Sequence, residues 1–254
     1  MTTIDLNCDI GEATEPDGIE REARLIELVS SVNIACAGHA GDDESMRRTV
    51  ELALDAGCAI GAHPSYPDRE RFGRVRLTMN ADALHRELRD QIHRLGAIAR
   101  ASGADLSHVK PHGALYHACA DDASVAGALA SGARSWRDEI MLIGGSATAA
   151  LEHWRELGAV VVGEAFADRV YEPGGRLRSR NEPDALILDP ETAARQAVSI
   201  ATEGRVRAHD GSWVSLRAQT LCVHSDTPGS ERIAAAVRGA LEDAGVEIGR
   251  AGCG

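Results

Sequence analysis

Side chains able to move protons, hold charge or ligate a metal recur along the chain in short clusters. Asn7, Cys8, Asp9 and Glu12 form the first, and Asn33 with His39, Asp42 and Asp43 the second. His63-Pro64, Lys110-Pro111-His112-Gly113 and Gly144-Gly145-Ser146 follow, then Glu164 with Asp168 and Arg169, and finally His224-Ser225-Asp226. These types suit general acid–base chemistry, in which a base activates a nucleophile, donors hold developing charge and an acid protonates a leaving group. Asp9 or Glu12 is the candidate base. Lys110 supplies compact positive charge for an oxyanion or phosphate, and His112 lies on the same side of an extended segment as a candidate acid. Asn33, Arg74 and Arg169 are candidates for contact with a ligand carboxylate or phosphate. Asp9, His39, His63 and His112 are also of types that hold a divalent metal, although no HExxH occurs. Any one of these residues alone is ordinarily a turn former, a cap or a hydrogen-bonded core group. Asp168 beside Arg169 is expected to anchor its loop, and His85, His93, His153 and His209 to lie on solvated helix or hairpin surfaces. The functional reading rests on repetition: nearly every apolar run ends in such a group.

Those runs are the elements that must position the clusters. Candidate strands are 4–7, 32–36, 59–62, 107–111, 140–143, 159–163 and 220–224, with 186–188 a weaker eighth. Helical patterns lie between them. Leu84, Leu88, Ile92, Leu95 and Ala99 keep one face apolar, with Asn80 as N-cap and Gly103 as stop. Asp189-Pro190 opens another helix that Gly204 closes, and Ile233, Val237, Leu241 and Ala244 line the last one. Alternating strands and helices imply parallel pairing, and this number of units predicts a closed parallel β/α barrel forming one domain over 1–254. The competing open, doubly wound sheet lacks a GxGxxG after its first strand. Residues 205–219 break the alternation and predict an added β-hairpin around Asp210-Gly211. Parallel barrels collect active sites at the C-terminal ends of their strands, which is where the clusters fall. Tyr66, Phe72, Tyr116, Phe166 and Tyr171, all the tyrosine and phenylalanine in the chain, also follow strands on that face.

Composition removes several alternatives. The 254 residues carry 27 Lys+Arg against 39 Asp+Glu, a net charge of −12. That balance argues against nucleic acid and against anionic membrane as partners. No apolar run is long enough to span a bilayer, and residues 1–9 lack a secretory pattern, so a cytoplasmic location is expected. The 6 cysteines are scattered without a CxxC pair and read as reduced, buried residues. All basic residues but one are arginine; the exception is Lys110. Because an ammonium and a guanidinium are not equivalent, Lys110→Arg is expected to harm activity far more than stability.

Several runs together resemble a known family: DLNCDIGE (5–12), NIACAGHAGD (33–42), IGAHPSYPD (60–68), Phe72-Gly73-Arg74, HVKPHGALY (108–116), EAFADRVY (164–171) and LCVHSD (221–226). In order, from about residue 4 to 240, they are similar to the family of 5-oxoprolinase A subunits, also called LamB/YcsF. The resemblance implies a seven-stranded barrel of the glycoside hydrolase/deacetylase type, which would demote 186–188. It implies ATP-dependent opening of 5-oxoproline to L-glutamate in a complex with the B and C subunits of 5-oxoprolinase. With no GxxxxGK[ST] in the chain, ATP would be bound by those partners, and this chain would open the activated ring. On this reading Asp9, Glu12, Lys110 and His112 are catalytic, and Asn7, Asn33, His39, His63, Arg74, Tyr116, Arg169 and His224 bind substrate. Deacetylase-like barrels also imply a divalent metal, for which Asp9, His39, His63 and His112 are the candidates. Three departures lie beside the site: Ala37-Gly38 where the family has Gly-Phe, Ala13-Thr14-Glu15-Pro16 in place of an aromatic-glycine segment, and Ser225 in place of glycine. They bear on substrate identity more than on reaction class. Two other readings stay open, a stand-alone metal-dependent amide hydrolase or deacetylase and a non-catalytic binding subunit.

Overall fold

A computed structural model describes residues 2–252, so Cys253 lies outside the described residues. Seven parallel strands close into a barrel: β1 (Thr2–Ile10), β2 (Ser31–Ala35), β3 (Ala59–His63), β4 (His108–Val109), β5 (Met141–Gly145), β6 (Val161–Phe166) and β9 (Thr220–His224). Closure is made by β1 pairing with both β2 and β9. Around the barrel run α1 (Pro16–Ile26), α2 (Asp43–Asp55), α3 (Ala81–Ala101), α4 (Gly113–Asp121), α5 (Ala123–Arg134), α6 (Ala150–Glu156), α7 (Pro190–Glu203) and α8 (Ser230–Asp243). None of these helices is long and apolar enough to cross a membrane.

Strand alternation sorts the chemistry from the core. On β1, Ile4, Leu6, Cys8 and Ile10 pack outward against the helices, while Asp5, Asn7 and Asp9 face the barrel axis. The apolar core is therefore the layer between barrel and helices. The barrel interior is a polar column.

The helices form where local signals place them. The Asn80 side chain caps α3 by accepting from the Ala83 amide at 2.8 Å, and Leu84, Leu88, Ile92, Leu95 and Ala99 are buried. Asp189 accepts from the Thr192 amide at 2.9 Å, Pro190 opens α7, and Gly204 ends it in the left-handed region. The expected hairpin is present as β7 (Arg205–Arg207) paired antiparallel with β8 (Trp213–Ser215), outside the barrel.

Boundaries differ from the sequence reading where backbone pairing overrides composition. β1 extends to Ile10 and β6 to Phe166, which puts Asp9 and Glu164 inside strands rather than after them. β4 is reduced to two residues because Pro111 has no amide to donate, although Lys110 N and His112 N continue bonding to Ala62 O and Pro64 O. Segment 186–188 makes only an isolated bridge from Leu186 to Arg169 and is no barrel strand. One strand was not anticipated: β10 (Val246–Ile248) pairs parallel with Thr2–Ile4, beside the barrel's N-terminal end.

Candidate active site

The polar column rises through the barrel in layers. At its base Asp5 accepts from Ser30, Ser31 and Thr220 hydroxyls at 2.5–2.7 Å, and burial raises its carboxyl above the ordinary range. One layer up, Asn7 Nδ2 donates to Glu164 Oε1 at 3.0 Å and to Thr220 Oγ1 at 2.7 Å. Asn7 Oδ1 accepts from Asn33 Nδ2 at 2.8 Å, and Asn33 Oδ1 pairs with His108 Nε2 at 2.8 Å. His108 is buried, which drives its pKa down to about 3 and fixes it as a neutral ring donating through Nε2. In HVKPH the residues His108, Lys110 and His112 alternate inward, so each serves a successively higher layer.

Lys110 occupies the next layer, 2% exposed. Its Nζ lies 2.8 Å from Asp9 Oδ1, 2.8 Å from Glu164 Oε1, 3.1 Å from Cys222 Sγ and 3.3 Å from Asn7 Oδ1. Burial opposes its charge, but Asp9 and Glu164 outweigh it and raise the ammonium well above the ordinary lysine range. Burial likewise opposes the charge of Asp9, but His63 and Lys110 hold that carboxyl well below its usual range.

The top layer is a cluster of imidazoles and a carboxylate. His63 Nδ1 donates to Lys110 O at 2.8 Å and His112 Nε2 donates to Phe72 O at 2.9 Å. In their neutral forms His63 Nε2 and His112 Nδ1 are then both lone pairs, facing each other at 3.1 Å. Glu12 Oε1 lies 3.5 Å from His112 Nδ1, and Asp9 Oδ2 lies 3.4 Å from His63 Nε2. A cation shared between those nitrogens, either a proton or a metal ion, satisfies both, and the donor set of Glu12, His63 and His112, within 4.8 Å of one another, fits a divalent ion. His39 stands behind this set. Its Nε2 pairs with Glu12 Oε1 at 2.9 Å and its ring stacks on His112 at 3.6 Å. Glu12 enters the site because Gly11 adopts φ +78 and α1 supplies Glu22, which accepts from the Glu12 amide at 3.0 Å. Burial raises the Glu12 carboxyl. Phe72, at φ +53, is the strained residue that aims its carbonyl at His112.

On the opposite wall His224 Nδ1 pairs with Asp168 Oδ1 at 2.9 Å, and Asp168 Oδ2 accepts from the His224 amide and from Thr227. The Asp168 side chain therefore pairs with His224 and Thr227 rather than with its sequence neighbour Arg169. Arg169 instead donates to the carbonyls of Ala185 and Arg178. Asp9, Glu12, His63, Arg74, Lys110, His112, Tyr116, Arg169 and His224 all line one pocket of about 420 Å³ at the C-terminal mouth. Asn7, Asn33 and His39 sit behind its wall. Of the five aromatics, Tyr116 and Phe166 line this pocket, Phe72 packs edge-on against His39 and His112, and Tyr171 OH accepts from the Phe166 amide.

Glu164 stands at a strand end in the sequence, with no role in the site assigned to it there. A lone carboxylate within VVGEAF was the available signal, since a buried acid in an apolar strand needs a partner. Arg180 and Asn181 also line the pocket, from a loop with no local motif.

A closed parallel barrel with proton-transfer groups gathered at its C-terminal mouth is the architecture of β/α-barrel enzymes. The chain belongs to the LamB/YcsF family, which it matches over residues 4–252. It is 49% identical over 248 residues to the 5-oxoprolinase A subunit of Chloroflexus aggregans, covering 98% of each chain. The crystal structure of a lactam utilization protein from Thermus thermophilus superposes with a TM-score of 0.91 at 40% identity, covering 97% of this chain and 99% of that one. A T48 deacetylase solved with substrate aligns at a TM-score of 0.50 and 14% identity over 97% of this chain and 87% of that one, a likeness of fold alone.

Proposed function

We propose that this chain is the ring-opening component of an ATP-dependent 5-oxoprolinase, hydrolysing the activated lactam of 5-oxoproline to L-glutamate together with the B and C subunits. The observation that carries the reading is the floor of the pocket, where a protonated lysine is held between Asp9 and Glu164 beneath His63, His112 and Glu12. The full-length relatives named as 5-oxoprolinase A subunits support the substrate.

Among the carboxylates Glu12 is favoured as base. Asp9 already receives Lys110 and Asn33 on Oδ1 and is held well below the usual range, whereas burial raises Glu12 toward a working base. The acid is assigned to His224 rather than His112. Both nitrogens of His112 are engaged within the cluster, while Asp168 orients His224 through Nδ1 and leaves Nε2 for the leaving nitrogen. Lys110 fixes Asp9 and supplies the positive charge for the developing oxyanion. A divalent cation would be held by His63 and His112 with a carboxylate from Glu12 or Asp9, and would supply Lewis-acid polarisation of the carbonyl.

The test is glutamate release from 5-oxoproline and ATP, with and without the B and C subunits. Release is expected only in the complex and is expected to vanish with Lys110→Ala. Turnover by the isolated chain without ATP, abolished by a chelator, would identify a stand-alone amide hydrolase instead. Full activity of the Lys110→Ala complex would make this chain a non-catalytic component.

A further inference from the structure

Charge in the pocket is sorted along its axis. The floor holds the one lysine between Asp9 and Glu164, with Glu12 in the layer above. At the mouth three arginines, Arg74, Arg169 and Arg180, stand near one carboxylate. Asp226 Oδ2 accepts from Arg180 Nη1 at 2.9 Å and also from Arg74 Nη2. Arg169 is 4% exposed, and among the described residues no carboxylate forms an ion pair with it. Its Nε and Nη2 are taken by carbonyls, at 3.3 Å and 2.7 Å. Burial and the charge of Arg180 bring its pKa down to about 10. Arg178 differs, because Glu172 and Asp184 lie 2.9 Å and 2.7 Å from its guanidinium.

A buried guanidinium without a counter-ion is costly, and in a chain of net charge −12 the excess of cations at this mouth is local and specific. An anion seated there offsets that cost. We propose that Arg180, together with Arg169 and Arg74, forms a subsite for the anionic group of the ligand, a carboxylate or a phosphoryl group, with Asp226 as the positioning residue for Arg180 and Arg74. The subsite orients the ligand: its anion stays among the arginines at the mouth and its amide end reaches Lys110. This inference rests on the pocket being the catalytic site of the proposed reaction.

The experiment is calorimetric titration of the full chain with 5-oxoproline, with 2-pyrrolidinone (the same ring without the carboxylate) and with inorganic phosphate. Wild type is compared with Arg180→Gln, Arg169→Gln and Asp226→Asn. 5-Oxoproline is expected to bind at least about tenfold more tightly than 2-pyrrolidinone, the scale of a charge-assisted hydrogen bond. Arg180→Gln is expected to remove most of that difference and to leave 2-pyrrolidinone unchanged. Arg180 is a partly exposed side chain, so this variant keeps the test sound if Arg169→Gln fails to fold. Phosphate that competes with 5-oxoproline and depends on the same arginines identifies a phosphoryl group as an occupant; absence of competition assigns the subsite to the carboxylate. Equal affinity for the two rings, or 5-oxoproline binding indifferent to Arg180→Gln, overturns the subsite while leaving the reaction class standing. Arginine-dependent phosphate binding with no binding of either ring overturns the 5-oxoproline reading and keeps the subsite. If none of the three probes shows arginine-dependent binding, the subsite is wrong.

Discussion

Lys110 is the residue at which composition and geometry meet. An overwhelmingly arginine-rich chain keeps one lysine, and the structure gives a reason: Nζ has four partner atoms between 2.8 and 3.3 Å, a shell that fits an ammonium and leaves no room for a planar guanidinium. This changes the expectation for Lys110→Arg. Activity is expected to be lost, and stability to fall as well, by about 1–3 kcal/mol from overpacking in urea unfolding. Unchanged stability would mean that the layer is looser than its distances imply. Of the departures beside the site, the one at Ala37-Gly38 has a distinct local setting. Ala37 sits at φ +70, a conformation that favours glycine. A side chain at Gly38 would come within 2.5–2.7 Å of Ser65 and Gln91. Those two residues bond to each other there, with Ser65 N donating to Gln91 Oε1 at 3.0 Å and Gln91 Nε2 donating to Ser65 O at 2.9 Å, so the space beside Gly38 is taken.

At the scale of elements, neighbouring strands must supply both a polar group and the space for it. Gly61 of β3 pairs with His108 of β4, and a Cβ at Gly61 would lie 2.0 Å from His108 Nε2. The glycine is what lets a full imidazole lie inside the barrel and reach Asn33. Gly61→Ala is expected to displace the ring, break the 2.8 Å bond to Asn33 and cost at least about 2 kcal/mol, from the lost buried hydrogen bond and the overpacking together. Thermal unfolding checks this. A melting temperature within about 1–2 °C of wild type, roughly the shift of half a kcal/mol in a chain of this size, would contradict it. β6 shows the same principle in reverse: Val161 and Ala165 pack in the apolar layer against the helices, so Glu164, on the other face of the strand, can enter the column and meet Lys110.

Across the whole molecule the polar column couples stability to pH. His108 is neutral in the fold because burial lowers its pKa from 6.5 to about 3. Below pH 6.5 the unfolded chain takes up a proton there that the folded chain refuses. The stabilising contribution is therefore complete above pH 6.5 and is lost as the pH falls toward 3, with a slope of up to about 1.4 kcal/mol per pH unit. Urea unfolding at pH 7, 6, 5 and 4 is expected to show this decline, and a His108→Gln variant to show a shallower one. Parallel pH profiles for the two proteins would remove His108 from the account. The sorting of acids to the floor and arginines to the mouth is likewise a property of the assembled barrel, since its members come from widely separated stretches of chain.

The sequence by itself determined the alternation of strand and helix, the caps at Asn80 and Asp189, the hairpin, and the clusters at strand ends, because each depends on side-chain periodicity or on turn chemistry within a few residues. It also carried Asp9, Glu12, His63, Lys110 and His112 as the groups that meet. Only the tertiary structure decided which atoms pair. Closure by β1 with β9 brings Asn7 to Glu164 and Asp9 to Lys110, residues more than 100 positions apart. Pairing of β6 with β9 takes Asp168 from its sequence neighbour to His224, pairing of β1 with β2 sets His39 behind Glu12, and the loop after β6 brings Arg180 to the pocket mouth. Barrel register, and with it the layer each inward side chain occupies, is fixed by hydrogen bonds between distant strands, and no local pattern encodes those contacts.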